Sequence, residues 1–281
     1  MRWFFAVIMC VFLLSVAACD WQIGTGLSPL DGPAGLASTI IDHRHASVDG
    51  LTEVGARSAR ENLRIVYWHT SHGSQLSTGM AEMDHFFGDR GWYLLGGEGG
   101  LAYDDRYEAD LGNPDRDAFE ATTRNYLAEH PDTNVVMWSW CGQVSSASEA
   151  DIQNYLDRMS SLERDFPAVR FVYMTGHADG SGESGNLHLR NRQIRSYCES
   201  NNKFLYDFYD IECYDPDGNY YGDRNVDDGC NYDGGNWAHE WQGAHPGQWW
   251  ECSSAHSEPL NANRKAMAAW QLFVSLAGNR L

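Results

Sequence analysis

A chain of 281 residues with 43% hydrophobic side chains is long enough for one large domain with a sizeable core. Lys and Arg total 20 against 39 Asp and Glu, a formal charge of −19. That balance excludes nucleic acid as a partner, because a phosphate backbone needs a basic footprint, and it makes an anionic polymer a poor substrate.

Arg2 precedes a mostly apolar run from Trp3 to Ala18, too short for a comfortable membrane span. The run ends Val16-Ala17-Ala18-Cys19, which resembles the bacterial lipobox. The resemblance implies cleavage before Cys19 and lipidation of Cys19; the alternative is an ordinary secretory peptide cleaved nearby. The expectation is an exported lipoprotein facing the periplasm or the exterior, touching membrane only through its lipid anchor. Residues 1–18 are read as signal peptide, 19–62 as anchor cysteine and lead-in, and 63–281 as the domain.

Export permits disulfides. With Cys10 and Cys19 set aside, Cys141, Cys198, Cys213, Cys230 and Cys252 remain, an odd number. Cys213 and Cys230 flank a loop rich in Gly, Asp and Asn and are the expected pair. None has CxxC metal spacing.

Ile40–His45 reads as a short strand or turn, with His43 and His45 alternating. Leu63–Trp68 is an apolar run of β-formers and the first clear strand. It ends in His69-Thr70-Ser71-His72-Gly73-Ser74. A serine presented at the carboxyl edge of an α/β sheet is a candidate nucleophile, which singles out Ser71, with Ser74 as rival. Gln75–Gly88 carries helical spacing. Gly91–Gly112 is a glycine-rich loop, either flexible or bringing backbone N–H groups close to an oxyanion.

Asp115–His130 is a predicted helix ended by Pro131. Asn134–Trp140 is a second buried strand, ending in Cys141-Gly142-Gln143. Cys141 is either a thiol nucleophile or a small packed or disulfide-bonded residue. Ser148 with Asp151 caps the next helix. Val169–Thr175 is a third strand, ending at Gly176-His177. A helix over Leu187–Ser200 and a strand over Phe204–Phe208 follow. This alternation predicts an α/β class: three α/β/α layers around a mainly parallel sheet. Residues 211–252 form a long insertion in which Trp and Tyr are candidates to shape a sugar or aryl pocket. Pro259–Ala277 is a closing helix, with His256 just before it.

A Ser after the first strand and a His before the last helix resemble the SGNH/GDSL hydrolase family, whose sheet is flavodoxin-like. The resemblance spans roughly Leu63 to Gly278. It implies Ser71 as nucleophile and His256 in SSAHSEP as base, with His245 as the alternative. His69 and Thr70 replace the family's Gly and Asp. Ser253 stands where its Asp would be, so Glu251, a backbone carbonyl or no acid at all is left to orient His256. Cys141-Gly142-Gln143 stands for Gly-x-Asn-Asp, which makes Gln143 the candidate side-chain donor. The family's second glycine falls on Gly97, Gly99 or Gly112.

His69, His72 and His177 end strands on the predicted active edge, as zinc ligands or as hydrogen bonders to substrate. Asp215, Asp217, Asn219 and Asp223 alternate as in a calcium loop, but Tyr220 stands where such a loop wants Gly and no Glu closes it. A solvated acidic loop is the other reading. The expected activity needs no cofactor, with structural calcium the one suggested. It is hydrolysis of a carboxylic ester, an acetyl ester on a carbohydrate by preference, so the partner is a small ester or glycan. The alternatives are a catalytically inactive glycan-binding surface lipoprotein and a metal-dependent hydrolase using the clustered His.

Overall fold

The computed structural model describes residues Ile40–Gly278, so Cys19 and the signal segment lie outside the described residues. The strands are β1 (Ile40–Ile41), β2 (Arg64–His69), β3 (Ala102–Tyr107), β4 (Val135–Trp138), β5 (Arg170–Met174) and β6 (Phe204–Tyr206). They form one sheet in the order β1-β6-β5-β4-β2-β3, with every pair parallel. β2 and β4 lack polar alternation because both their faces are covered; Val66, Tyr67, Val135, Val136 and Met137 have no exposed surface. Trp68 and Trp138 stack at 4.4 Å across the pair.

One helical layer holds α1 (Glu53–Asn62), α2 (Ser74–Ala81) and the long α9 (Pro259–Gly278), which pack on one another. The other holds α4 (Ala118–Glu129), α5 (Glu149–Asp165) and α6 (Asn186–Ser200). The three-layer α/β expectation is met. α2 and α9 approach closely at Gly79, where an added Cβ would land 2.2 Å from the Ala262 carbonyl oxygen.

Three boundaries differ from the sequence expectation. The expected lead-in is built into the domain: β1 pairs with β6, and α1 packs on α9. The glycine-rich stretch contains β3, an edge strand reading AYDDRY whose charged residues hide it from an apolar-run reading. The helix expected over Gln75–Gly88 breaks at Glu82 into α2 and α3 (Met83–Phe86).

Residues 211–252 carry short elements joined by turns: the end of α7 (Phe208–Glu212), a hairpin of β7 (Asn231–Tyr232) and β8 (Gly235–Asn236), and α8 (Trp237–Ala244). Trp237 and Trp250 are buried in the core, and the Trp250 indole N–H donates to the Gly79 carbonyl at 3.0 Å. These two Trp anchor the insertion rather than line a sugar pocket. The expected Cys213–Cys230 disulfide is not formed. Both are free, buried thiols, so apolar and aromatic packing holds the insertion instead.

Candidate active site

β2 hydrogen-bonds β4 on one side and β3 on the other, so the direction of winding reverses there. In open parallel sheets a crevice forms at such a reversal, outside the carboxyl ends of the strands. Here those ends are the His69–Gly73 turn and the Trp140–Gln143 turn.

The turn after β2 is held from beneath. His69 is fully buried; its Nε2 lies 2.7 Å from Asp105 Oδ1 and its Nδ1 3.0 Å from the Thr70 carbonyl. Both ring nitrogens are therefore engaged away from the crevice. The Thr70 hydroxyl donates to Asp110. Gly73 is required by crowding, since a Cβ there would sit 2.3 Å from Ser139 Oγ. Ser74 donates its hydroxyl to the Ser71 carbonyl at 2.6 Å. Among the described residues, the Ser71 hydroxyl has no hydrogen-bond partner.

The turn after β4 is braced by Gln143. Its Oε1 accepts from the Cys141 N–H at 2.9 Å, and its Nε2 donates to Asp110 Oδ1 at 3.0 Å. The amide therefore ties Cys141 to Asp110, and one of the two Nε2 hydrogens is spent on Asp110. Gly112 packs against the Gln143 side chain on this edge. Gly97 and Gly99, by contrast, line a cleft with Arg64 and Ala102 at the amino ends of β2 and β3, on the wrong edge for an oxyanion donor.

His72 organises the crevice. Its ring stacks on His177 with centroids 3.8 Å apart and on His256 at 4.5 Å. Its Nδ1 lies 3.1 Å from Cys141 Sγ, and its Nε2 lies 2.8 Å from Asp228 Oδ2. Thiol, imidazole and carboxylate thus form a continuous chain. Burial works against charge on His72, but the Asp228 and Cys141 partners outweigh it and raise its pKa to about 9. The Cys141 thiol is lowered from its ordinary value, chiefly by the hydrogen bond from His72. Asp228 is likewise lowered: burial opposes this, but the His72 hydrogen bond prevails. His177 is pushed down by burial and so stays neutral. Its Nδ1 sits 2.7 Å from the Ala178 carbonyl, while its buried Nε2 has no partner.

Sequence reading singled out Cys141 and His72 separately and missed Asp228. Asp228 comes from the insertion, whose backbone is pinned over the crevice where Gly180 N–H donates to the Val226 carbonyl at 3.1 Å. Nothing local marks it among the many acidic residues of that loop.

The loop before α9 is set by a buried polar relay. Gln75 Nε2 donates to the Ala255 carbonyl at 2.5 Å, next to His256. Lys265 Nζ donates to Gln75 and, at 2.6 Å, to Glu212 Oε1; Glu212 Oε2 accepts from the Ala178 N–H, next to His177. Gln75, Lys265 and Glu212 have no exposed surface. His256 itself is exposed, at φ 60°. Neither Ser71, Ser253 nor Glu251 hydrogen-bonds to it among the described residues. His245 Nδ1 lies 3.0 Å from the Trp241 carbonyl, outside this cluster.

For a metal, the His69–His72–His177 set is not assembled, because both His69 nitrogens are taken. Among the described residues two groups could share one cation, their ligand atoms lying within 4.8 Å of one another: His72, Asp228 and His256 in the crevice, and Asp42, His43 and Asp210 away from it. In the 215–223 loop, Asp215 spends its oxygens on its own turn: Oδ1 accepts from the Asp217 and Asn219 N–H groups, and Oδ2 from Asn219 Nδ2 and the Tyr221 hydroxyl.

No protein-family model matches the chain, and no curated protein matches it. Among solved structures, it is similar to a putative acylhydrolase from Bacteroides fragilis at 10% identity and a TM-score of 0.36, over 62% of this chain and 83% of that one.

Proposed function

We propose that the chain is a hydrolase that cleaves a carboxylic ester through a Cys141 thiolate, with His72 as acid–base and Asp228 holding the ring. The observation that carries this reading is the Cys141–His72–Asp228 chain at the sheet's switch point. A triad is recognised by geometry and roles, whatever the fold and chain order. Sγ would attack the acyl carbon. As the tetrahedral intermediate collapses, the C–O bond breaks and His72 gives its proton to the leaving alcohol. Water, deprotonated by His72, then releases the acid from the thioester and regenerates the thiol. The Ser71 and His72 N–H groups have no backbone acceptor among the described residues and are the donors we assign to the oxyanion.

The signal-like segment and Cys19 support placing this activity outside the cytoplasm on a lipid anchor. The acidic body favours a neutral ester, with an acetylated carbohydrate as the preferred class. A second reading, Ser71 as nucleophile and His256 as base, is favoured by the unpartnered Ser71 hydroxyl and by the His256 ring stacked on His72.

The deciding experiment is p-nitrophenyl acetate hydrolysis by wild type, Cys141→Ala and Ser71→Ala, beside iodoacetamide and fluorophosphonate labelling. Loss confined to Cys141→Ala, with thiol labelling, upholds the thiolate. Loss confined to Ser71→Ala, with fluorophosphonate labelling, installs the serine reading. Loss on chelation moves the chemistry to a cation at His72, Asp228 and His256. No turnover and no labelling leaves a glycan-binding protein.

A further inference from the structure

Away from the crevice, a cavity of about 490 Å³ opens between residues 43–49, the 216–218 turn, Trp241 of α8 and the first half of α9. Its floor holds Arg264, of which only 3% is exposed. Among the described residues no hydrogen bond or ion pair reaches this guanidinium, and its Nε is buried without a partner. An isolated buried charge is costly, and proteins ordinarily pair it. The other basic side chains at the cavity already have partners: His43 lies 2.5 Å from Asp210 and Arg44 2.5 Å from Asp42. Arg264 alone has no hydrogen-bonded or ion-paired partner at the cavity; the Asp215 and Asp210 carboxylates act on it only at longer range, and burial still pushes its pKa down.

The walls narrow the ligand. Trp241, Leu260 and Met267 offer apolar surface, while Asp49 and Asp217 also face the cavity and disfavour a dianion. The volume falls within the usual range for small-molecule sites. We propose that this cavity is a second binding site, for a small organic monocarboxylate whose carboxylate pairs with Arg264 and whose body packs on Trp241 and Met267. A planar guanidinium suits a carboxylate bidentately.

The test uses benzoate as probe, with benzamide as its neutral counterpart, against the purified mature protein. Benzoate at tenfold excess over its Kd should raise the melting temperature by about 3–6 °C, and benzamide should not. Arg264→Met should fold at least as stably, since it removes an unpaired buried charge, and lose the benzoate shift. Met267→Trp, which fills the cavity and keeps the charge, should lose it too. Cys141→Ala should keep it, which separates this site from the crevice. The proposal is overturned if benzoate gives no shift in wild type, if benzamide matches it, if Arg264→Met or Met267→Trp retains the shift, or if Cys141→Ala abolishes it.

Discussion

His72 joins four of the side chains in the crevice. Its nitrogens face Cys141 and Asp228, and its ring stacks on His177 and His256. A thiolate–imidazolium pair predicts a bell-shaped pH–rate profile for p-nitrophenyl acetate. The acid limb follows Cys141 deprotonation, below its ordinary 9.0. The alkaline limb falls near 9, as His72 loses its proton. Both limbs belong to the coupled pair. A Ser71–His256 enzyme needs a neutral base and so gains activity as pH rises, without that alkaline loss. The same groups shape stability. His72 is raised, so its contribution is whole below its ordinary 6.5 and fades as pH rises toward about 9. The melting-temperature gap between wild type and His72→Gln should therefore shrink over that window. Asp228→Asn should keep the fold but slow alkylation of Cys141 by iodoacetamide at least tenfold near neutral pH, by weakening the imidazolium that lowers the thiol.

At the scale of elements, α2 and α9 carry both the packing and the positioning. Gly79→Ala drives a methyl toward the Ala262 carbonyl and should cost about 1–3 kcal/mol in denaturant unfolding. Lys265→Met leaves Glu212 buried and uncompensated, at a cost of about 3–5 kcal/mol. Lys265→Met with Glu212→Gln should recover much of that stability without restoring activity, because the tie from α9 to Gln75 stays broken. The sequence shows α2 as the helix after the serine turn, but not the relay: Gln75, Glu212 and Lys265 are 53 to 190 residues apart in pairs. Polar residues at such separations carry no periodic signal, so only the packed core reveals that they meet.

Across the whole molecule, a charge of −19 places many carboxylates near one another. Self-repulsion of that size is screened by salt. Added sodium chloride should raise the melting temperature, with most of the gain complete once the Debye length falls to about 3–8 Å.

Composition, period and turn chemistry by themselves determined the α/β class, the strands expected over Leu63–Trp68, Asn134–Trp140 and Val169–Thr175 to within two residues at each end, and the placement of Ser71, His72, Cys141 and His177 on one edge. Those are local properties: an apolar run followed by small polar residues declares a buried strand and its exposed end wherever the chain goes next. Tertiary structure alone decided which of these side chains face one another. It turned His69 and Gln143 into braces, sent Gly97 and Gly99 to the opposite edge, left Cys213 and Cys230 unbonded, and carried Asp228 across the insertion onto His72. It also added β3, whose charged edge sequence hides a strand. The physical reason is common to all of them: hydrogen-bond partnership depends on where backbones pass in space, and residues such as His72 and Asp228, 156 positions apart, meet only after the sheet and its insertion have folded.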